Sequence, residues 1–86
     1  MDREMMIDEM VSFIDGKIDA FAKMSKSKRA TPYNQARVTD AELMLNVAHY
    51  AGVWNDVVSR IGTNAKTILG FSGERPDGNR ISVTDG

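Results

Sequence analysis

Apolar residues recur over the first two dozen positions with the spacing of one helical face. Ile7, Val11, Ile14, Ile18 and Phe21 follow a 4-3-4-3 pattern, with Met6, Met10 and Ala22 beside them, the signature of an amphipathic helix. Asp8, Asp15, Asp19 and Lys23 fall off that line, where the pattern places a solvated polar face. Acid at Asp2 and Glu4 and base at Lys23 and Lys26 suit the two ends of the helix dipole. The spacing predicts a helix over residues 2–24. Gly16 is its weak point, since glycine in a helix interior costs ~1 kcal/mol relative to alanine. Close packing or a bend would account for it.

Residues 25–38 break the pattern. Lys26, Lys28, Arg29 and Arg37 occur there with no acid, and Pro32 disfavours a helical Thr31 before it. The expectation is a basic loop, long for a connection inside a small domain. Thr39-Asp40-Ala41-Glu42 then reads as a capping box, opening a second helix over residues 39–61 with Gly62 as its closing residue. Its expected seam is Leu43 or Met44, Val47, Tyr50, Ala51, Trp54, Val57, Val58 and Ile61, widened by Leu45, Ala48 and Val53. Trp54 lies centrally in that stripe and is expected to be buried against the first helix near Ile14 or Ile18.

Residues 63–86 are more ambiguous. Thr63 or Asn64 suits the start of a short helix holding Ala65, Ile68 and Leu69. Thr67 to Phe71 and Arg80 to Thr84 would otherwise form the arms of a hairpin about the turn sequence Pro76-Asp77-Gly78-Asn79. The short helix with an irregular tail is the favoured reading. The fold expected is therefore all-α, in one domain of residues 1–86. It consists of two long antiparallel amphipathic helices joined by a basic loop, plus a short C-terminal helix or hairpin.

Composition narrows the function more than it identifies one. The 86 residues are 42% hydrophobic and 27% charged, as in an ordinary globular domain rather than a disordered one. A core of this size gives only ~3–5 kcal/mol unless something reinforces it. No cysteine and a single histidine leave no disulfide, no thiolate zinc site and no His-rich metal site. Self-association is the reinforcement left open. A net charge of −1 creates no global field for nucleic acid or an anionic membrane. The start Met1-Asp2-Arg3-Glu4 is acidic where a secretory signal needs base and an uninterrupted apolar stretch. No window approaches the ~20 apolar residues of a membrane span. A cytoplasmic chain without membrane attachment is expected.

Few residues suggest chemistry. His49 is the single imidazole, but Asp56 is two turns away and Ser59 farther, so no orienting carboxylate or nucleophile lies within reach along one helix. Asp8, Glu9, Asp15 and Asp19 form a row along a helix, whereas a hard cation needs oxygens converging from a loop. Gly70, Gly73 and Gly78 lack the lysine and hydroxyl of a phosphate loop. The signatures of helix-turn-helix, zinc-finger and RNA-recognition modules are missing as well. The basic segment stands above this background. Lys26, Lys28, Arg29 and Arg37 can neutralise phosphates, Tyr33 can stack on a base, and Asn34 or Gln35 can read a base edge.

Six methionines and two wide apolar stripes exceed what two helices and a short third element can cover. Surplus apolar surface points to a partner or a second copy, with Met6, Met10, Phe13 and Val53 expected at the contact. The function expected is a non-catalytic protein-binding module, self-associating, that acts as an inhibitor or adaptor without metal or cofactor. The alternative is a binder of nucleic acid or a phosphorylated small molecule through residues 26–37.

Overall fold

A computed structural model describes residues 2–71, and within them every regular element is a helix. Five follow one another: α1 (Arg3–Ala22), α2 (Lys26–Arg29), α3 (Pro32–Tyr50), α4 (Trp54–Arg60) and α5 (Thr63–Leu69). The long helices α1 and α3 pack on each other, and α4 and α5 both lie against α1. The hairpin arm expected at residues 80–84 and its turn fall outside the described residues. Thr67 to Leu69, the start of the other arm, belong to α5.

α1 forms where the periodicity places it. The Asp2 carboxylate accepts from the Met5 backbone N–H at 2.8 Å, the bond of a helix N-cap. Ile7, Met10, Ile14, Ile18 and Phe21 line its buried face. Gly16 is exposed, and a Cβ built there would touch nothing within 4 Å. Close packing does not explain it, and α1 runs unbroken through it.

The expected basic loop is mostly helical. Ser25 caps α2 by accepting from the Lys28 N–H, and Thr31 caps α3 by accepting from the Asn34 N–H. Pro32 is the first residue of α3, a position where its missing N–H is no loss and its fixed φ suits the helix. The proline that argued for a loop therefore starts the helix, and Thr39 to Glu42 lie inside α3 rather than at its cap.

The expected helix over 39–61 is two helices. Gly52 adopts φ +77°; its N–H donates to the His49 carbonyl at 3.1 Å and that of Val53 to the Ala48 carbonyl at 2.9 Å. This is the Schellman closure, in which a left-handed glycine satisfies the last carbonyls of a helix. Gly70, φ +89°, closes α5 in the same way, with the Phe71 N–H on the Lys66 carbonyl. Gly62 closes nothing: it is extended and precedes α5 as its N-cap.

The break at Gly52 resets the helical phase and with it the core. α3 buries Ala41, Leu45 and Ala48, while α4 and its flanks bury Val53, Val57 and Ile61, and α5 buries Ala65. The leucine, valine and isoleucine side chains among them contribute ~1.5–3 kcal/mol each before entropy. Trp54 begins α4 instead of sitting at a helix centre. It is half-buried at the edge of the core, with its ring edge-to-face to Phe71 at 5.8 Å between centroids.

Candidate functional site

The basic segment is bound up in the fold more than it is offered to a ligand. Arg29 reaches back from α2 to the end of α1, donating from Nε to the Phe21 carbonyl at 3.2 Å and from Nη2 to the Ala22 carbonyl at 2.8 Å. Its guanidinium also lies 5.2 Å from the Phe21 ring centroid. α1 has no base in its last turn, so Arg29 supplies the cation that the helix C-terminus favours. Asn34 donates to the Lys28 carbonyl at 2.9 Å and Gln35 to the Arg29 carbonyl at 2.6 Å. Those amides satisfy the end of α2 rather than face outward to read a base. Lys26 and Lys28 remain exposed.

Arg37 and Tyr33 lie apart from those lysines, in a shallow cleft of about 150 Å³ shared with Lys17, Ala36 and Asp40. The Arg37 guanidinium is 6.0 Å from the Tyr33 ring centroid. Its Nε is buried with no hydrogen-bond partner among the described residues. Lys17 pairs with Asp40 at 3.4 Å, which cancels one of the two positive charges there. The six residues Lys26, Lys28, Arg29, Tyr33, Asn34 and Arg37 thus divide into exposed lysines, helix caps and a small cleft.

Part of the acidic row of α1 is tied to α4 and α5, although Asp8 keeps 72% exposure and Glu9 is exposed. Asp8 and Glu4 hold Arg60 of α4, at 3.4 and 2.8 Å, and Asp56 of α4 returns a bond to Arg3 at 2.7 Å. Asp15 accepts from the Gly62 N–H at 2.8 Å, capping α5 from another helix. Asp19 accepts from Asn64 at 3.1 Å. The Arg60 hydrogen bond, then its charge, holds the Glu4 carboxyl below its ordinary pKa, and the same bond raises that of Arg60. Among the described residues no group of His, Asp and Glu gathers in a geometry that could hold a metal ion. His49 is exposed and meets the Tyr50 ring edge-on at 5.7 Å.

The expected contact residues also divide. Met10 and Val53 are buried in the core at 8% and 2% exposure, and Met6 is half-covered against it. They are unavailable to a partner because α4 and α5 fold back over α1. Only Phe13, 39% exposed beside Lys17, reaches the surface.

Among the described residues, exposed apolar side chains align on α3. Leu43, Val47 and Tyr50 are 56%, 50% and 89% exposed. Each lies two residues past a core position (Ala41, Leu45 and Ala48), which is about 200° around a helix of 3.6 residues per turn. They share one line by their 4-3 spacing, on the side away from the core. The same line continues N-terminally through Asp40 and Ala36 to Tyr33, itself 79% exposed. A helix continuous over residues 39–61 would put these residues in one seam with Trp54, Val57 and Ile61, which is why the spacing predicts them buried. No single-sequence signal reverses that choice except the Gly52-Val53 pair, which ends α3 and frees its phase from that of α4.

No family model matches the chain, and no curated protein or solved structure shows significant similarity to it. Among the described residues no helix is long and apolar enough to cross a membrane.

Proposed function

We propose that this chain is a small non-catalytic protein-binding module that acts as an inhibitor or adaptor, with α1 and α3 as an antiparallel frame and the outward face of α3 as the binding face. One observation carries the reading: Leu43, Val47 and Tyr50 form an exposed apolar line on a helix whose opposite side already fills the core. Single exposed apolar residues are ordinary on a protein surface. A contiguous apolar face marks an interaction site more often, and an aligned helix face is a common way for one protein to occupy a groove on another. Binding of nucleic acid or a phosphorylated small molecule through residues 26–37 has less support, since Arg29, Asn34 and Gln35 are engaged with backbone carbonyls.

A photo-activated crosslinking side chain at position 47, compared with one at exposed Lys23, tests the reading in cells that make the protein. A specific adduct from position 47 and none from position 23 is the expected result. No adduct from position 47 overturns the α3 face as a binding surface.

A further inference from the structure

We infer that the occupant of the α3 face is a second copy of this chain, the two α3 helices running antiparallel about a twofold axis at Val47. This rests on the reading of that face as a binding surface and adds the identity and geometry of the partner.

Charge supplies the first argument. From Leu43 to Asn55 the sequence carries no Asp, Glu, Lys or Arg, although charged residues make up 27% of the chain. Recognition of a different protein draws on complementary charge to steer encounter and reject wrong partners. From Leu43 to Ala51 this face has none to offer, the acids Asp40 and Glu42 lying at its N-terminal edge. Its best complement is another uncharged apolar face, and a copy brings one without like-charge repulsion.

Spacing supplies the second. Tyr50 stands three positions after Val47 and Leu43 four before it, so an antiparallel copy centred on Val47 sets each Leu43 beside Tyr50 and Ala51 of the other. An isologous contact of this kind uses the same patch twice. Thr39, Asn46 and His49 are exposed polar neighbours on its rim. Glu42 of one copy would then face the other at Gly52, where α3 has ended. A parallel arrangement would instead stack Arg37 on Arg37 and Glu42 on Glu42. The dipoles of two antiparallel helices also oppose each other favourably.

Size sets the strength. Three side chains per copy make a patch well below the ~800 Å² per partner of a standard interface. A weak dimer is expected, with a Kd on the order of 10–100 µM.

The chain has no cysteine, so Val47→Cys introduces the sole thiol. A disulfide needs Cα atoms about 4.4–6.8 Å apart, a condition met across the axis only near position 47. Mild oxidation should crosslink Val47→Cys rapidly and Glu9→Cys, exposed on α1, slowly. A mixture of Leu43→Cys and Tyr50→Cys proteins should form the mixed dimer in preference to either homodimer. The unsubstituted chain should show a concentration-dependent mass by sedimentation across the expected range. Val47→Asp should be monomeric, with unchanged melting in dilute solution.

The opposing results are as definite. A monomer at every concentration, with Val47→Cys no faster than Glu9→Cys, overturns the dimer. If the photo-adduct at position 47 then has the mass of a different protein, the binding face stands and the second copy does not. A dimer insensitive to Val47→Asp overturns the α3 geometry. A monomer whose melting temperature falls with Val47→Asp shows the face covered within the chain, by residues 72–86 or otherwise, and overturns the binding face with it.

Discussion

Gly16 occupies an exposed interior position of α1 with open space where a Cβ would go. Alanine there restricts the unfolded chain and suits the helix, so Gly16→Ala should stabilise the protein by ~0.5–1 kcal/mol, read as a rise in melting temperature. Gly52 has open space too, but its φ of +77° is unfavourable to any side chain. Gly52→Ala should therefore destabilise by ~1–2 kcal/mol in a denaturant titration. Opposite signs at two equally uncrowded glycines would isolate the backbone as the cause. Adjacent cations separate in a similar way. Lys28 is exposed, and Lys28→Glu should stay within ~0.5 kcal/mol of the parent. Arg29 serves two carbonyls at the end of α1, and Arg29→Glu should lose roughly 1.5–3 kcal/mol, the range for hydrogen bonds to a charged group. Equal losses from the two would mean that Arg29 does not cap α1.

Among the elements, α1 was legible because its period is uninterrupted and its core residues are large. α5 was legible in outline from a polar start and a small apolar cluster. The two boundaries around α3 were not, and both failures have a local cause. Pro32 is compatible with a loop or with the first turn of a helix, and the difference lies in whether Thr31 can cap it. Gly52 and Gly62 both follow apolar helical stretches, and only the left-handed closure at Gly52, with Val53 buried behind it, separates them. The ties of Asp8, Asp15 and Asp19 to α4 and α5 do not show in the periodicity because their partners are more than forty residues away in sequence. Asp15→Ala should lose about 1–2 kcal/mol, as for other helix caps, with α5 the first part to lose amide protection in hydrogen exchange. The Glu4–Arg60 pair carries a pH signature. The folded pKa of Glu4 is depressed, so its contribution is present above the unfolded glutamate range and lost as pH falls through the folded value. Glu4→Gln should be less stable than the parent at neutral pH, and the two should converge on acidification below the usual glutamate range. Arg60 stays charged throughout, since its own pKa is raised, and adds no dependence there. A gap between the two melting temperatures that persists in acid would assign the effect to packing instead.

For the whole molecule, the decisive feature is how α3 divides its apolar residues. Its inward side is Ala41, Leu45 and Ala48 with Val38 and Met44 packed beside them; its outward line is Leu43, Val47 and Tyr50. Apolar side chains on both sides are more than a helix serving only its own core would show. This was illegible in sequence because a helix unbroken at Gly52 would align Leu43, Val47 and Tyr50 with Trp54, Val57 and Ile61 on one buried face. Two leucines two positions apart make the division measurable. Leu45 is 5% exposed and Leu43 56%. Leu45→Ala removes methyl groups from the centre of the cluster and leaves a cavity, which should cost about 2–5 kcal/mol. Leu43→Ala removes side chain that already faces water, and surface changes of that kind stay within ~0.5 kcal/mol. The comparison belongs in dilute solution, where binding to a second copy contributes little, because association with the folded state raises apparent stability with concentration. Repeating it at high concentration should then separate the parent from Leu43→Ala as well, since only the parent gains from the contact. If Leu43→Ala is as damaging as Leu45→Ala in dilute solution, the outward face is part of the core and α3 is rotated from the position described.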